Sequence, residues 1–102
     1  MKIFLDDKRL PPDESWTLVT TFQDFVTVYD RHAHSVEAVS FDHDLGMLSD
    51  VDGNDALRHI EYCYYEYGIV PPSVLLCHSA NPVGKAEIER GIASLLSRVE
   101  TD

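Results

Sequence analysis

Three short apolar runs, each ending in polar residues, constrain this chain more than any other feature. Residues 2–5 read KIFL, residues 37–41 read EAVSF and residues 73–77 read SVLLC. Runs of this length suit strands rather than helices, and continuous rather than alternating apolar character implies burial on both faces, as in a parallel sheet. A fourth run, WTLVTT at 16–21, is rich in β-branched and aromatic residues and reads as the second strand in chain order. Helical periodicity fills the intervals. Phe22, Phe25, Val26 and Tyr29 form one apolar stripe, and Ala56, Leu57, Ile60 and Tyr64 form another between residues 53 and 67. Gly68 closes that second helix, and Pro71-Pro72 prevent its continuation. Asn81-Pro82 opens a last helix carrying Ile88, Ile92, Leu95, Leu96 and Val99. The segments KRLPPDES and DHDLGMLSDVDG are loops. The expected architecture is a small three-layer α/β fold with a four-stranded, mainly parallel sheet in one domain over residues 1–102. The direction of the second strand stays open, because a loop alone joins it to the first.

Composition narrows the partners. The formal net charge is −10 on 102 residues. An acidic surface repels free nucleic acid and anionic membrane, and no basic patch is present to track a long duplex. No apolar stretch approaches the roughly 20 residues that span a bilayer, and MKIFLDD turns acidic too early for a signal peptide. Cys63 and Cys77 match no metal-ligand spacing and no disulfide framework, so they read as buried thiols of a cytoplasmic protein. His32, His34 and His59 fall in helical or helix-end positions and read as surface or partly packed residues.

The strand ends carry the chemistry. In open parallel sheets, ligands bind outside the carboxyl ends of the strands. Here those ends hold Asp6-Asp7, then Asp42-His43-Asp44, then His78-Ser79 with Asn81. If the strands are adjacent and parallel, the three clusters converge on one edge. Crowded carboxylates repel, so either a pKa rises or a cation binds. Asp6, Asp7 and Asp42 offer hard oxygens suited to Mg²⁺ or Mn²⁺. Zinc fits less well, with two histidines at that edge and no thiolate. Two imidazoles beside a phosphodiester can divide acid and base work, which makes His43 and His78 the expected pair, with Asp44 orienting a histidine. Arg9 and Lys8 can meet phosphate oxygens. Ser79 can donate to the phosphate or act as a nucleophile, and Asn81 can donate to it or cap the last helix.

The segments FLDD, SFDHDLG…DG and HSAN resemble the receiver-domain superfamily of two-component signalling. They are still more similar to its divergent offshoot, the cyclic-phosphate-processing receiver domain. Across roughly residues 2 to 82, the receiver's acidic pair is matched by Asp6-Asp7 and its phosphoacceptor by Asp42. Its Asp-Gly is matched by Asp52-Gly53 and its Ser/Thr-Ala by Ser79-Ala80. The resemblance implies a flavodoxin-like sheet of order 2-1-3-4. It also implies action on cyclic phosphates, such as cyclic nucleotides or 2′,3′-cyclic RNA ends. His43, Asp44 and His78 match the offshoot rather than ordinary receivers. The departures are the missing helix between the first two strands and the missing fifth strand, with its lysine, and fifth helix. Lys85 lies on a helix and does not replace that lysine, so the usual route of phosphorylation-driven switching lacks its lysine and its last α/β unit.

The expected function is therefore a phosphoesterase-like enzyme acting on cyclic phosphates at an acidic metal site. Two alternatives stay open. One is a binding module that holds a cyclic nucleotide or phosphate without turnover. The other, motivated by the charge, is an acidic protein-interaction module, such as a phage-encoded inhibitor or a nucleic-acid mimic.

Overall fold

The computed structural model describes residues 1–46 and 50–101. Part of the loop expected between the third strand and the second helix, residues 47–49, lies outside the described residues. The chain runs through β1 (Lys2–Leu5), β2 (Trp16–Val19), α1 (Phe22–His32), β3 (Ala38–Phe41), α2 (Gly53–Tyr67), β4 (Val74–Cys77) and α3 (Pro82–Thr101). Each helix start carries its own signal. Thr21 accepts the Asp24 amide at 3.0 Å, and Asp52 closes a capping box with Asp55. At the far end of α2, Gly68 takes the left-handed conformation and its N–H reaches the Tyr64 carbonyl. That conformation suits a residue without a β-carbon.

The sheet order is β2-β1-β3-β4, and all three pairings are parallel. This answers the question left open for β2: residues 6–15 bring the chain back to the starting edge without a helix, and Lys2 pairs with Trp16. One face of the sheet holds Ile3, Leu5, Val19, Val39, Phe41 and Leu75, which join Phe25, Tyr29, Leu57, Ile60, Ile88 and Leu95 in a single core. Helix α2 packs against both α1 and α3, so the three helices lie side by side on that face.

The expected third layer is not found among the described residues. On the other face Leu18, Val74 and Leu76 are 37 to 48% exposed. One reason is a departure already visible in the sequence: a loop, residues 6–15, stands where a helix would join β1 to β2. Phe4 is an exception on this side, nearly buried under the His78 ring, which stacks on it at 4.1 Å.

Candidate functional site at the carboxyl edge of the sheet

Parallel pairing in register aligns the strand ends. Leu5 stands beside Phe41 and Phe41 beside Cys77, so the next residues of the three strands form a row. The ladder continues one residue further, with the Asp42 amide on the Leu5 carbonyl and the His78 amide on the Phe41 carbonyl, both at 3.0 Å. Asp6, Asp42 and His78 thus begin the loops from fixed backbone positions. Their ligating atoms lie within 4.8 Å of one another.

Asp6 is 1% exposed and almost fully satisfied. Its Oδ1 accepts the backbone amides of Lys8 and Arg9 at 2.8 and 2.9 Å, and its Oδ2 faces His78 Nε2 at 3.0 Å. Burial opposes its charge, but those amides and His78 outweigh it and hold its pKa below the usual carboxylate range. Asp42 goes the other way. Burial and the neighbouring Asp6 charge raise its pKa, against the Ser79 hydroxyl, His78 and the His43 amide. Asp7 adds a third carboxylate: its Oδ1 is buried and finds no hydrogen-bond partner among the described residues.

The histidines stand behind this front, each tied to a carboxylate. His78 is held on three sides, by Asp6 at Nε2, by Ser40 Oγ at 2.7 Å from Nδ1, and by the face of Phe4. His43 Nδ1 lies 2.9 Å from Asp44 Oδ1 and its Nε2 3.3 Å from Asp52 Oδ2. Burial pulls the His43 pKa down, but Asp44, Asp52 and Glu87 outweigh it, so the imidazolium is favoured. Two glycines make room for this arrangement. A β-carbon on Gly53 would sit 1.9 Å from the Asp42 carbonyl oxygen, and one on Gly84 would sit 2.3 Å from the His43 ring. The first turns of α2 and α3 therefore press directly on the Asp42-His43 corner.

A pocket of about 190 Å³ opens in front, lined by Asp6, Asp7, Arg9, Asp42, Asp44 and Asn81 together with Lys8 and Ala80. Arg9 is anchored across the edge by a 2.7 Å hydrogen bond from its guanidinium to the His78 carbonyl. Asn81 takes the capping role read for it. Its Oδ1 accepts the Val83 and Gly84 amides at 3.1 Å, capping α3, while Nδ2 turns towards Asp44 at 3.4 Å. Ser79 is buried beneath the edge, accepting the Asn81 amide and bonding the Asp42 carboxyl. All the residues read from the sequence meet at this one edge, with His43, His78 and Ser79 supporting the wall rather than forming it.

A family model for the cyclic-phosphate processing receiver domain matches residues 1–94. The chain belongs to this family. The chain keeps the strand order expected of a receiver, β2-β1-β3-β4, and its described helices all lie on one face of the sheet. No curated protein and no solved structure matches the chain. Among the described residues no helix is long and apolar enough to cross a membrane.

Some contributors were not read from the sequence. Ser40 was the signal inside EAVSF, a small polar residue in an apolar strand, and it proves to hold His78. Gly84 follows Asn81-Pro82 in the first helical turn, where a residue without a side chain is unexpected. His59 and Cys63, four apart on α2, share a helix face with no part in this edge, and Asp30 of α1 meets them there.

Proposed function

We propose that this domain binds a cyclic phosphate ester at the carboxyl edge of its sheet and hydrolyses it to a monoester. The observation that carries the reading is the pocket itself, where four carboxylates and two cationic side chains from the ends of β1 and β3 face one small volume with Asn81 from the end of β4. Asp6, Asp7 and Asp42 would hold a divalent cation, Mg²⁺ or Mn²⁺; ligating atoms of Asp6 and Asp42 lie within 4.8 Å of one another and of His78, and the unpartnered buried Oδ1 of Asp7 supports its place in the set. When bound, such a cation neutralises phosphate charge and polarises the scissile bond.

The chain's own groups do the rest. Arg9 spends one N–H on the His78 carbonyl and keeps further donors for phosphate oxygens. Asn81 Nδ2 supplies a neutral donor from the opposite wall. In the reaction a water oxygen bonds to phosphorus, one ring P–O bond breaks, and the leaving oxygen takes a proton. His43, favoured in its charged form and set just behind the pocket wall, is the donor once its ring turns Nδ1 from Asp44 past that wall to the leaving oxygen. The Asp6–His78 pair receives the proton of the attacking water, with the second His78 nitrogen held by Ser40. Ser79 and Asp44 position Asp42 and His43 respectively.

A second reading, retention of the ester without turnover, is favoured by one observation: both nitrogens of both histidines already have partners. Phosphorus NMR separates the two. The protein is incubated with 3′,5′- and 2′,3′-cyclic mononucleotides, cyclic dinucleotides and an RNA ending in a 2′,3′-cyclic phosphate, each with Mg²⁺, Mn²⁺ or EDTA. The expected result is a monoester resonance that disappears in His43→Gln and with EDTA. Broadening of one ligand without a product would establish the binding module instead.

A further inference from the structure

A second cluster lies on the helical layer, away from the sheet edge. Helix α2 presents His59 and Cys63 four residues apart, on one face. Asp30, near the end of α1, faces both. His59 Nε2 lies 2.7 Å from Asp30 Oδ1 and 3.6 Å from Cys63 Sγ, and Cys63 Sγ lies 3.8 Å from Asp30 Oδ1. An imidazole, a thiol and a carboxylate converging on one point form a mixed donor set of borderline softness. In a tetrahedral zinc site, metal–ligand bonds of about 2.0 to 2.3 Å place ligand atoms about 3.3 to 3.6 Å apart. The two sulfur separations are close to this, and the nitrogen–oxygen pair needs to open by about half an ångström.

Two further observations point to a ligand. The three residues line a pocket of about 330 Å³ with Tyr62, Tyr67 and Ile69, which leaves a fourth coordination position open to water or a small molecule. Beside them, Tyr29 is 0% exposed and its hydroxyl finds no hydrogen-bond partner among the described residues. Burial holds that phenol in its neutral form, and Cys63 and Asp30 beside it act in the same direction. A buried hydroxyl without a partner is costly, and a coordinated thiolate or water is the kind of acceptor it lacks.

We propose that Asp30, His59 and Cys63 form a binding site for a transition-metal ion of the Zn²⁺ class, separate from the acidic edge and joining α1 to α2. The Cys63 thiol, pushed up to about 11 by burial and by Asp30, is protonated in the metal-free protein. On binding, the metal–sulfur bond forms, the S–H bond breaks and the proton passes to solvent; no electron is exchanged. The site does not depend on hydrolysis at the sheet edge, and its failure would leave that reading untouched.

Cobalt is the probe, because a thiolate bound to Co²⁺ gives an intense near-ultraviolet charge-transfer band that oxygen and nitrogen ligands do not. Titration of the full chain with Co²⁺ is expected to raise this band to one equivalent, and Zn²⁺ is expected to quench it. The band is expected to vanish in Cys63→Ser and persist in Cys77→Ser. Asp30→Asn and His59→Gln are expected to weaken binding at least ~10-fold, and circular dichroism would confirm that each variant is folded. Zn²⁺ should also shift the His59 ring resonances in the wild-type protein. Absence of the band, its survival in Cys63→Ser, or unmoved His59 resonances would overturn the assignment.

Discussion

His43 shows how single residues here derive their properties from neighbours. It is 17% exposed and sits between Asp44 and Asp52, which hold its pKa above the ordinary value near 6.5. The fold thus favours the charged ring. The resulting stabilisation is fully present below the unfolded-state pKa and is lost as pH rises through the raised folded-state value. Proton NMR of the His43 ring should show a midpoint above 6.5, and Asp44→Asn should lower it; a midpoint unchanged by that substitution would refute the pairing. Asp42 carries the opposite liability, a carboxylate whose charge the fold disfavours because of burial and Asp6. In metal-free buffer at neutral pH, Asp42→Asn should raise the melting temperature. Addition of Mg²⁺ should raise that of the wild-type protein and leave the variant unmoved. The Asp–His–Asp cluster could be read from sequence at this scale, but the partners of each ring nitrogen could not. Ser40 and Asp52 reach the histidines only through pairing of strands and docking of a helix start.

Elements explain why the site has its shape. Helices α2 and α3 begin hard against the strand-end loops, and each does so at a glycine. Alanine in a helix ordinarily gains about 1 kcal/mol over glycine. At Gly53 the sign should reverse, because the added carbon meets the Asp42 backbone oxygen at 1.9 Å, which cannot move without the strand end. A loss of about 1–3 kcal/mol in urea unfolding is expected for Gly53→Ala. Gly84→Ala meets a side chain instead, so the His43 ring should swing aside; its NMR midpoint should move while stability changes less than in Gly53→Ala. Helix positions, the Gly68 end of α2 and the Asn81-Pro82 start of α3 were legible in the chain because they depend on residues a turn apart. The tight docking of α2 and α3 was not, since a glycine in sequence does not say what lies above it.

At the scale of the whole molecule, the decisive feature is a sheet dressed on one side. Leu75 belongs to the core and Leu76, its neighbour on the same strand, is 48% exposed. Leu75→Ala should therefore cost about 2–5 kcal/mol, whereas Leu76→Lys should stay within about 0.5 kcal/mol. Equal losses by urea unfolding would mean that the second face is covered after all. A continuous apolar run does not distinguish these cases. Val74, Leu75 and Leu76 look alike as letters, and burial on both faces was the natural inference from them.

Read alone, the chain yields its local grammar: four strands, three helices, the glycine and asparagine that bound two of them, and polar strand ends that converge once the strands run parallel. These depend on periodicity, backbone preference and nearest neighbours along the chain. The tertiary structure alone decided that β2 runs parallel through a bare loop and that all helices share one face. It also decided that the two site histidines brace carboxylates from behind, and that Asp30 meets His59 and Cys63. Each of these is a contact between residues far apart in sequence, set by how layers pack and not by what any segment prefers alone.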